Sequence, residues 1–116
     1  STLAVRPIWR GRGLGELVLA GLLERALDQE AELVTLEVRK SNRAAQHLYA
    51  KYGFVEAGVR RRYYPDNQED ALIMTTPPIQ TETYRALYRR RLDVLLARLR
   101  EQGHMLPAGA GEPGGA

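Results

Sequence analysis

The chain has no cysteine, only two histidines and no long apolar segment among its 116 residues. Without a thiol it can form no disulfide bond, no thiolate zinc site and no acyl-cysteine intermediate. His47 and His104 cannot build a multi-histidine metal site between them, so we expect no metal. The longest apolar run, residues 17–23, is too short to span a bilayer, and no basic-then-apolar signal peptide opens the chain. These features predict a cytoplasmic protein that does not enter a membrane.

The length fits one domain with a core of its own, and the net charge of +3 is unevenly distributed. Residues 81–102 hold six arginines against three acidic side chains, whereas residues 1–80 are close to neutral. The basic excess therefore belongs to one late segment. A basic isoelectric point alone does not indicate nucleic-acid binding here, and we do not expect it.

The spacing of apolar residues predicts the order strand, helix, strand, helix, strand, strand, helix. Strands are expected at residues 2–5, 33–39, 54–64 and 71–75, and helices at residues 13–30, from the Ser41-Asn42 cap to Gly53, and at residues 81–100. Gly58 suggests a bulge, and the short turn before the last strand predicts an antiparallel pair. The class is α/β or α+β with a mixed sheet. Residues 103–116 hold five glycines and two prolines and should be disordered.

A glycine-rich turn, Arg10-Gly-Arg-Gly-Leu-Gly15, lies between the first strand and the first helix. Unpaired backbone N–H groups and the helix dipole favour an anion at such a helix start. Gly13 and Gly15 allow close backbone approach, and Arg10 and Arg12 add positive charge. The dinucleotide fingerprint lacks its third glycine here, and the Walker sequence is absent. An ordinary tight turn and a phosphate site both remain open at this stage.

The sequence resembles the GNAT acetyltransferase superfamily, whose acyl-CoA motif reads Arg/Gln-x-x-Gly-x-Gly/Ala after a strand ending in apolar-Ala-Val. Arg10, Gly13 and Gly15 occupy the three defining places of that motif. Within the superfamily the chain resembles the ribosomal-protein-alanine acetyltransferases. That likeness spans residues 3 to about 78 and rests on LEVR at residues 36–39, SN at 41–42, LY at 48–49, GF at 53–54, RRRYYP at 60–65 and DALIM at 70–74. The resemblance implies a GNAT-like mixed sheet flanked by helices.

The resemblance also implies an acetyl-CoA site. In this site the strand Leu3, Ala4 and Val5 would hydrogen-bond the pantetheine arm, and one of its backbone N–H groups would polarise the acetyl carbonyl. Asn42 would contact the cofactor from the second helix. The pyrophosphate would lie against Arg10, Gly11, Arg12, Gly13, Leu14, Gly15 and Glu16. Glu37 would be the general base, acting through a water, and Tyr49 the general acid that protonates coenzyme A, in a direct transfer within a ternary complex. Read from the residues alone, a strand glutamate is more often solvated or paired with a neighbour such as Arg39. A tyrosine at Tyr49's helical spacing is more often a core residue.

The implied substrate is a protein N-terminal amine, that of an N-terminal alanine on a small-subunit ribosomal protein. Arg62, Tyr63 and Tyr64 are candidate substrate contacts, because this region lies near the peptide-binding side in the resembled family. Their alternative is an edge strand protected by charge, with tyrosines that pack across strands.

The resemblance covers only the C-terminal half of the family domain, because the strands and helices that precede the acyl-CoA strand have no counterpart in residues 1–116. We expect a partial domain at residues 1–78, a basic amphipathic helix at residues 79–102 and a disordered tail at residues 103–116. The helix could pack on the sheet or form a dimer contact. Two alternatives remain open. One is a noncatalytic module that binds coenzyme A or, through the basic helix, ribosomal RNA or protein. The other is a nucleotide-binding oxidoreductase in which Glu37 contacts a ribose.

Overall fold

A computed structural model describes residues 1–5 and 15–103 of the chain. Apolar alternation produces the strands, and 3.6-residue periodicity produces the helices, in the predicted order. The elements are β1 (Thr2–Val5), α1 (Gly15–Asp28), β2 (Leu33–Arg39), α2 (Arg43–Lys51), β3 (Val55–Arg60), β4 (Ala71–Thr75) and α3 (Glu82–Glu101). The predicted disordered tail, except Gly103, lies outside the described residues.

The four strands form one mixed sheet in the order β1-β2-β4-β3. β1 runs parallel to β2, and this pairing ends with Val5 opposite Leu36. β2 and β3 both run antiparallel to β4, which places Glu37 opposite Ile73. The mixed α/β architecture predicted from the sequence is confirmed.

Alternation along β2 separates the two faces of the sheet. Val34, Leu36 and Val38 are buried against the helices, while Glu37 points to the opposite face. All three helices add side chains to the same core. Its members include Leu19, Leu23, Leu27, Leu36, Tyr49, Tyr52, Phe54, Met74, Ile79, Tyr84 and Tyr88. A single core therefore covers one face of the sheet, and the residues that alternate with the buried ones lie on the other face.

Cap and turn residues set the ends of α2. The Asn42 side chain accepts a hydrogen bond from the Ala45 N–H, the N-cap arrangement that the sequence predicted. Gly53 follows the helix with φ at +91°, a conformation that favours glycine. A Cβ atom there would lie 3.1 Å from Cε1 of Tyr84, a tight approach, so both backbone and space favour glycine.

The third strand is shorter than predicted. The sequence suggested residues 54–64, but β3 ends at Arg60. Beyond it Arg62 adopts a φ of +50° and donates its N–H to the Asp70 side chain, while the Tyr63 and Tyr64 N–H groups both donate to the Glu69 carbonyl. These turn bonds replace the strand ladder. The predicted irregularity at Gly58 is present as a register shift between Glu56 and Gly58.

The last helix packs onto the core through one face. Thr81 caps the helix, and the side chains of its residues Tyr84, Tyr88 and Leu95 are buried. Tyr88 places its hydroxyl 2.9 Å from the Ala20 carbonyl, which ties α3 to α1. None of the described helices is long and apolar enough to cross a membrane.

Candidate active site

Glu37 lies on the face of the sheet opposite the helices, one residue past the end of the β1–β2 pairing. Its carboxylate accepts a hydrogen bond from Nε of Arg60 at 2.6 Å. The Glu37 side chain is 15% exposed and the Arg60 side chain 56% exposed. Because one partner stands largely in water, this ion pair is weak and can open at little cost. The carboxylate is thus sheltered but reachable.

Arg39, the ion-pair partner that the sequence suggested for Glu37, contacts other groups. Its guanidinium pairs with Asp66 at 3.1 Å and with Glu69 at 3.4 Å, both in the turn between β3 and β4. The same guanidinium lies 3.9 Å from the centre of the Tyr64 ring. The hydrogen bond from Arg39 holds the pKa of Asp66 below its usual range. Arg39 therefore fixes the tyrosine turn against β2.

Tyr49 lies on α2, buried against the core, with its ring centre 5.8 Å from that of Phe54. Burial raises the pKa of its hydroxyl, and the neighbouring Tyr64 raises it further. The hydroxyl therefore keeps its proton at neutral pH, which is the state that a general acid needs.

Tyr64 interacts electrostatically with both predicted catalytic side chains. Burial raises the pKa of Tyr64, Arg39 opposes that shift, and the charge of Glu37 adds to it. Tyr64 also acts on Tyr49, so Glu37, Tyr64 and Tyr49 share one electrostatic environment. Tyr63 packs edge-on against Tyr64 at 5.3 Å between ring centres. Tyr64 is thus within electrostatic range of both Glu37 and Tyr49, whereas Arg62 is exposed on the turn.

Comparison with known proteins gives a family for the first part of the chain. Residues 1–54 match the profile of the acetyltransferase (GNAT) family. Residues 1–54 belong to the GNAT family. The ribosomal protein bS18-alanine N-acetyltransferase of Salmonella typhimurium is 46% identical over 77 residues, which cover 65% of this chain and 52% of that protein. The chain spans about half the length of the curated relatives that it matches.

Solved structures agree with the GNAT assignment. The crystal structure of the ribosomal-protein-S18-alanine N-acetyltransferase from Escherichia coli matches with a TM-score of 0.52 and 42% identity, covering 62% of this chain and 48% of that one. A GNAT acetyltransferase from Elizabethkingia anophelis, solved with acetyl-CoA bound, matches with a TM-score of 0.56 at 20% identity, covering 66% of this chain and 60% of that one. At that identity the second match shows the fold alone.

The residues predicted from the GNAT resemblance to hold the cofactor are described only in part. Leu3 and Val5 turn toward the core, Ala4 is exposed, and Gly15 begins α1 as a buried residue. Residues 10–14, with Arg10, Gly11, Arg12, Gly13 and Leu14, lie outside the described part of the chain. Asn42 is committed to capping α2. No cluster of three potential metal ligands occurs within residues 1–5 and 15–103.

Glu16, predicted only as part of the phosphate turn, has side-chain contacts that the sequence did not reveal. Its carboxylate accepts hydrogen bonds from the Tyr52 hydroxyl at 2.8 Å and from Arg98 at 2.9 Å, and Lys51 lies 3.9 Å away. Two of these partners lie at the end of α2, and the third lies in the last turn of α3. No local pattern signals this contact, because Arg98 is 82 residues from Glu16 in sequence.

Proposed function

We propose that the chain transfers an acetyl group from acetyl-CoA to the α-amine of a protein N-terminus. The observation that carries this proposal is the match of residues 1–54, which contain Glu37 and Tyr49, to the acetyltransferase (GNAT) family. Glu37 lies just past the end of the β1–β2 pairing, and Tyr64 interacts electrostatically with both Glu37 and Tyr49. Acetyl-CoA supplies a thioester whose carbonyl carbon is open to attack. The exposed outer edge of β1 and the start of α1 suit its pantetheine arm and its pyrophosphate.

Each proposed catalytic residue has one task. Glu37 takes a proton from the substrate ammonium through a water, and the neutral amine then forms a bond with the acetyl carbon. A backbone N–H of β1 donates to the carbonyl oxygen as negative charge develops on it, a contribution of about 3–4 kcal/mol for one donor. The carbon–sulfur bond then breaks, the attacking nitrogen releases its second proton to water, and Tyr49 gives its own proton to the departing sulfur. In this proposal the transfer is direct within a ternary complex, which agrees with the absence of cysteine from residues 1–116.

The proposed substrate is the N-terminal alanine of a small-subunit ribosomal protein. The support is the likeness to enzymes named for that reaction, at 42% to 46% identity over about two thirds of this chain. Tyr63, Tyr64 and Arg62 are the proposed peptide contacts, with the tyrosine pair held by Arg39. In this proposal residues 1–78 form the partial catalytic domain, and α3 packs upon it.

The basic-helix alternative has weaker support. Three of the six arginines of α3 make internal contacts: Arg98 with Glu16, Arg91 with the Lys51 carbonyl at 3.1 Å, and Arg85 with the side-chain oxygen of Gln80. That leaves a smaller basic surface for RNA than the sequence count suggests.

Acetyl-CoA should raise the thermal stability of the chain, and Gly13→Glu should abolish this effect. A ligand at about 100 times its Kd stabilises the folded state by about 2.7 kcal/mol. A carboxylate at Gly13 would repel the pyrophosphate and fill the space that glycine leaves. The measurement is a thermal melt with acetyl-CoA, with NAD in parallel.

The matched control is Gly21→Glu, which makes the same substitution on an open face of α1 with no atom within 4 Å of the new Cβ. This variant should respond to acetyl-CoA as the wild type does. Stabilisation by NAD with none by acetyl-CoA would contradict the proposed function and favour the oxidoreductase alternative.

A further inference from the structure

Three helices meet at the Glu16 carboxylate. Glu16 stands in the first turn of α1, and its side chain is only 13% exposed. Tyr52 follows the last residue of α2, and Arg98 lies in the last turn of α3. Both donate hydrogen bonds to the carboxylate, at 2.8 Å and 2.9 Å. The first turn of α1 is therefore connected to the ends of both other helices.

Charge at this junction is balanced by contacts across the fold. Burial alone would raise the pKa of Glu16, but the hydrogen bonds from Arg98 and Tyr52, together with the charge of Lys51, hold the pKa below its usual value. The side chain is thus a carboxylate at neutral pH. Without its cationic partners it would place a negative charge beside the helix start that the proposed function assigns to pyrophosphate. Arg98 and Lys51 together outweigh that charge.

α3 also holds the partners of Glu16. The Tyr84 hydroxyl donates to the Tyr52 carbonyl at 2.7 Å, and Nε of Arg91 donates to the Lys51 carbonyl at 3.1 Å. Because Tyr84 is buried, the first turn of α3 is fixed on the core, and Arg98 contacts Glu16 from the last turn of the same helix. The family profile ends at residue 54, so α3 lies outside the segment that it describes.

From these contacts we infer that Arg98 is a positioning residue, through which α3 holds and neutralises Glu16 so that the first turn of α1 can accept the pyrophosphate of acetyl-CoA. The inference rests on the proposed function. It assigns α3 a role in the affinity of the cofactor site, exerted through its contact with Glu16.

Replacing Arg98 with alanine should weaken coenzyme A binding about three- to tenfold by isothermal titration calorimetry, because a shielded charge pair at the site is lost. Arg98→Lys should recover part of the affinity, since it restores the charge without the fork of donors. The matched control is Arg100→Ala, which removes an exposed arginine from the same last turn and should change affinity less than twofold.

A double-mutant cycle separates this role from general loosening of α3. In a Glu16→Gln background, Arg98→Ala should change the affinity less than twofold, because no carboxylate remains to be neutralised. Undiminished weakening in that background would overturn the inference. Equal coenzyme A affinity of the wild type and Arg98→Ala would also overturn it, while leaving the proposed function in place.

Hydrogen exchange without any ligand distinguishes failure of the inference from failure of the proposed function. The amides of residues 19–22, which donate to the carbonyls of the first turn of α1, should exchange faster in Arg98→Ala than in Arg100→Ala, because that turn loses its anchor. A wild-type chain that binds no coenzyme A would contradict the proposed function and, with it, the cofactor role of Arg98. Unchanged exchange would show separately that Arg98 does not hold the turn.

Discussion

Replacing Glu37 with glutamine should lower acetyl-transfer turnover about 10²–10⁴-fold, the usual contribution of a positioned general base. The amide keeps the size of the side chain but cannot take the proton from the substrate ammonium. Coenzyme A affinity should change less than twofold, because the proposed pyrophosphate site lies at the start of α1. Steady-state kinetics with a saturating peptide and calorimetry with coenzyme A measure the two quantities.

Two variants control this result. Glu56→Gln makes the same change at an exposed position on β3 and should keep the wild-type turnover. Arg60→Gln removes the same ion pair from the other side, so its free energy of unfolding should match that of Glu37→Gln, within about 1 kcal/mol of wild type. Full activity of Glu37→Gln would show that another group, or the solvent, acts as the base.

Tyr88→Ala should destabilise the chain by about 3–5 kcal/mol, the range for truncating a buried aromatic side chain. Tyr88 is buried between α3 and α1, its ring centre is 6.5 Å from that of Tyr52, and its hydroxyl lies 2.8 Å from the Glu24 carboxylate. The loss is a large fraction of the stability expected for a small domain. Urea unfolding followed by circular dichroism measures it.

Val94→Ala is the control on the same helix, because Val94 is 56% exposed and its truncation should change the free energy of unfolding by less than about 0.5 kcal/mol. If Tyr88→Ala were as mild as Val94→Ala, α3 would not share the core. The positioning role inferred for Arg98 would then lose its structural basis.

Elements with local signals could be predicted from the sequence, and contacts between distant segments could not. The alternation of residues 33–39 predicted β2 and the side of the sheet that Glu37 faces. Asn42 and Gly53 predicted both ends of α2. The end of β3 was not predicted, because the acceptors that close the turn after it, Asp70 and Glu69, lie several residues further along the chain.

The candidate site divides in the same way. Glu37 and Tyr49 were identified through a family resemblance, not through spacing alone. The side-chain contacts between distant segments could not be predicted in this way. Arg60 lies 23 residues from its partner Glu37, and Tyr52 lies 36 residues from its partner Glu16. Such pairs depend on how strands and helices are arranged in space. The arginine that Glu37 meets is therefore decided by the register of β3 and β4 and not by its neighbours in sequence.

Acetyl transfer to a peptide amine tests the proposed function most directly. The chain would be incubated with acetyl-CoA and a peptide that begins with a free N-terminal alanine and contains an internal lysine, and the product would be sequenced by mass spectrometry. A second peptide, already acetylated at its N-terminus, controls for lysine modification. We predict one acetyl group on the α-amine of the first peptide and none on the second. No transfer to the first peptide above the rate without protein, from a chain that melts as a folded unit, would contradict the proposal.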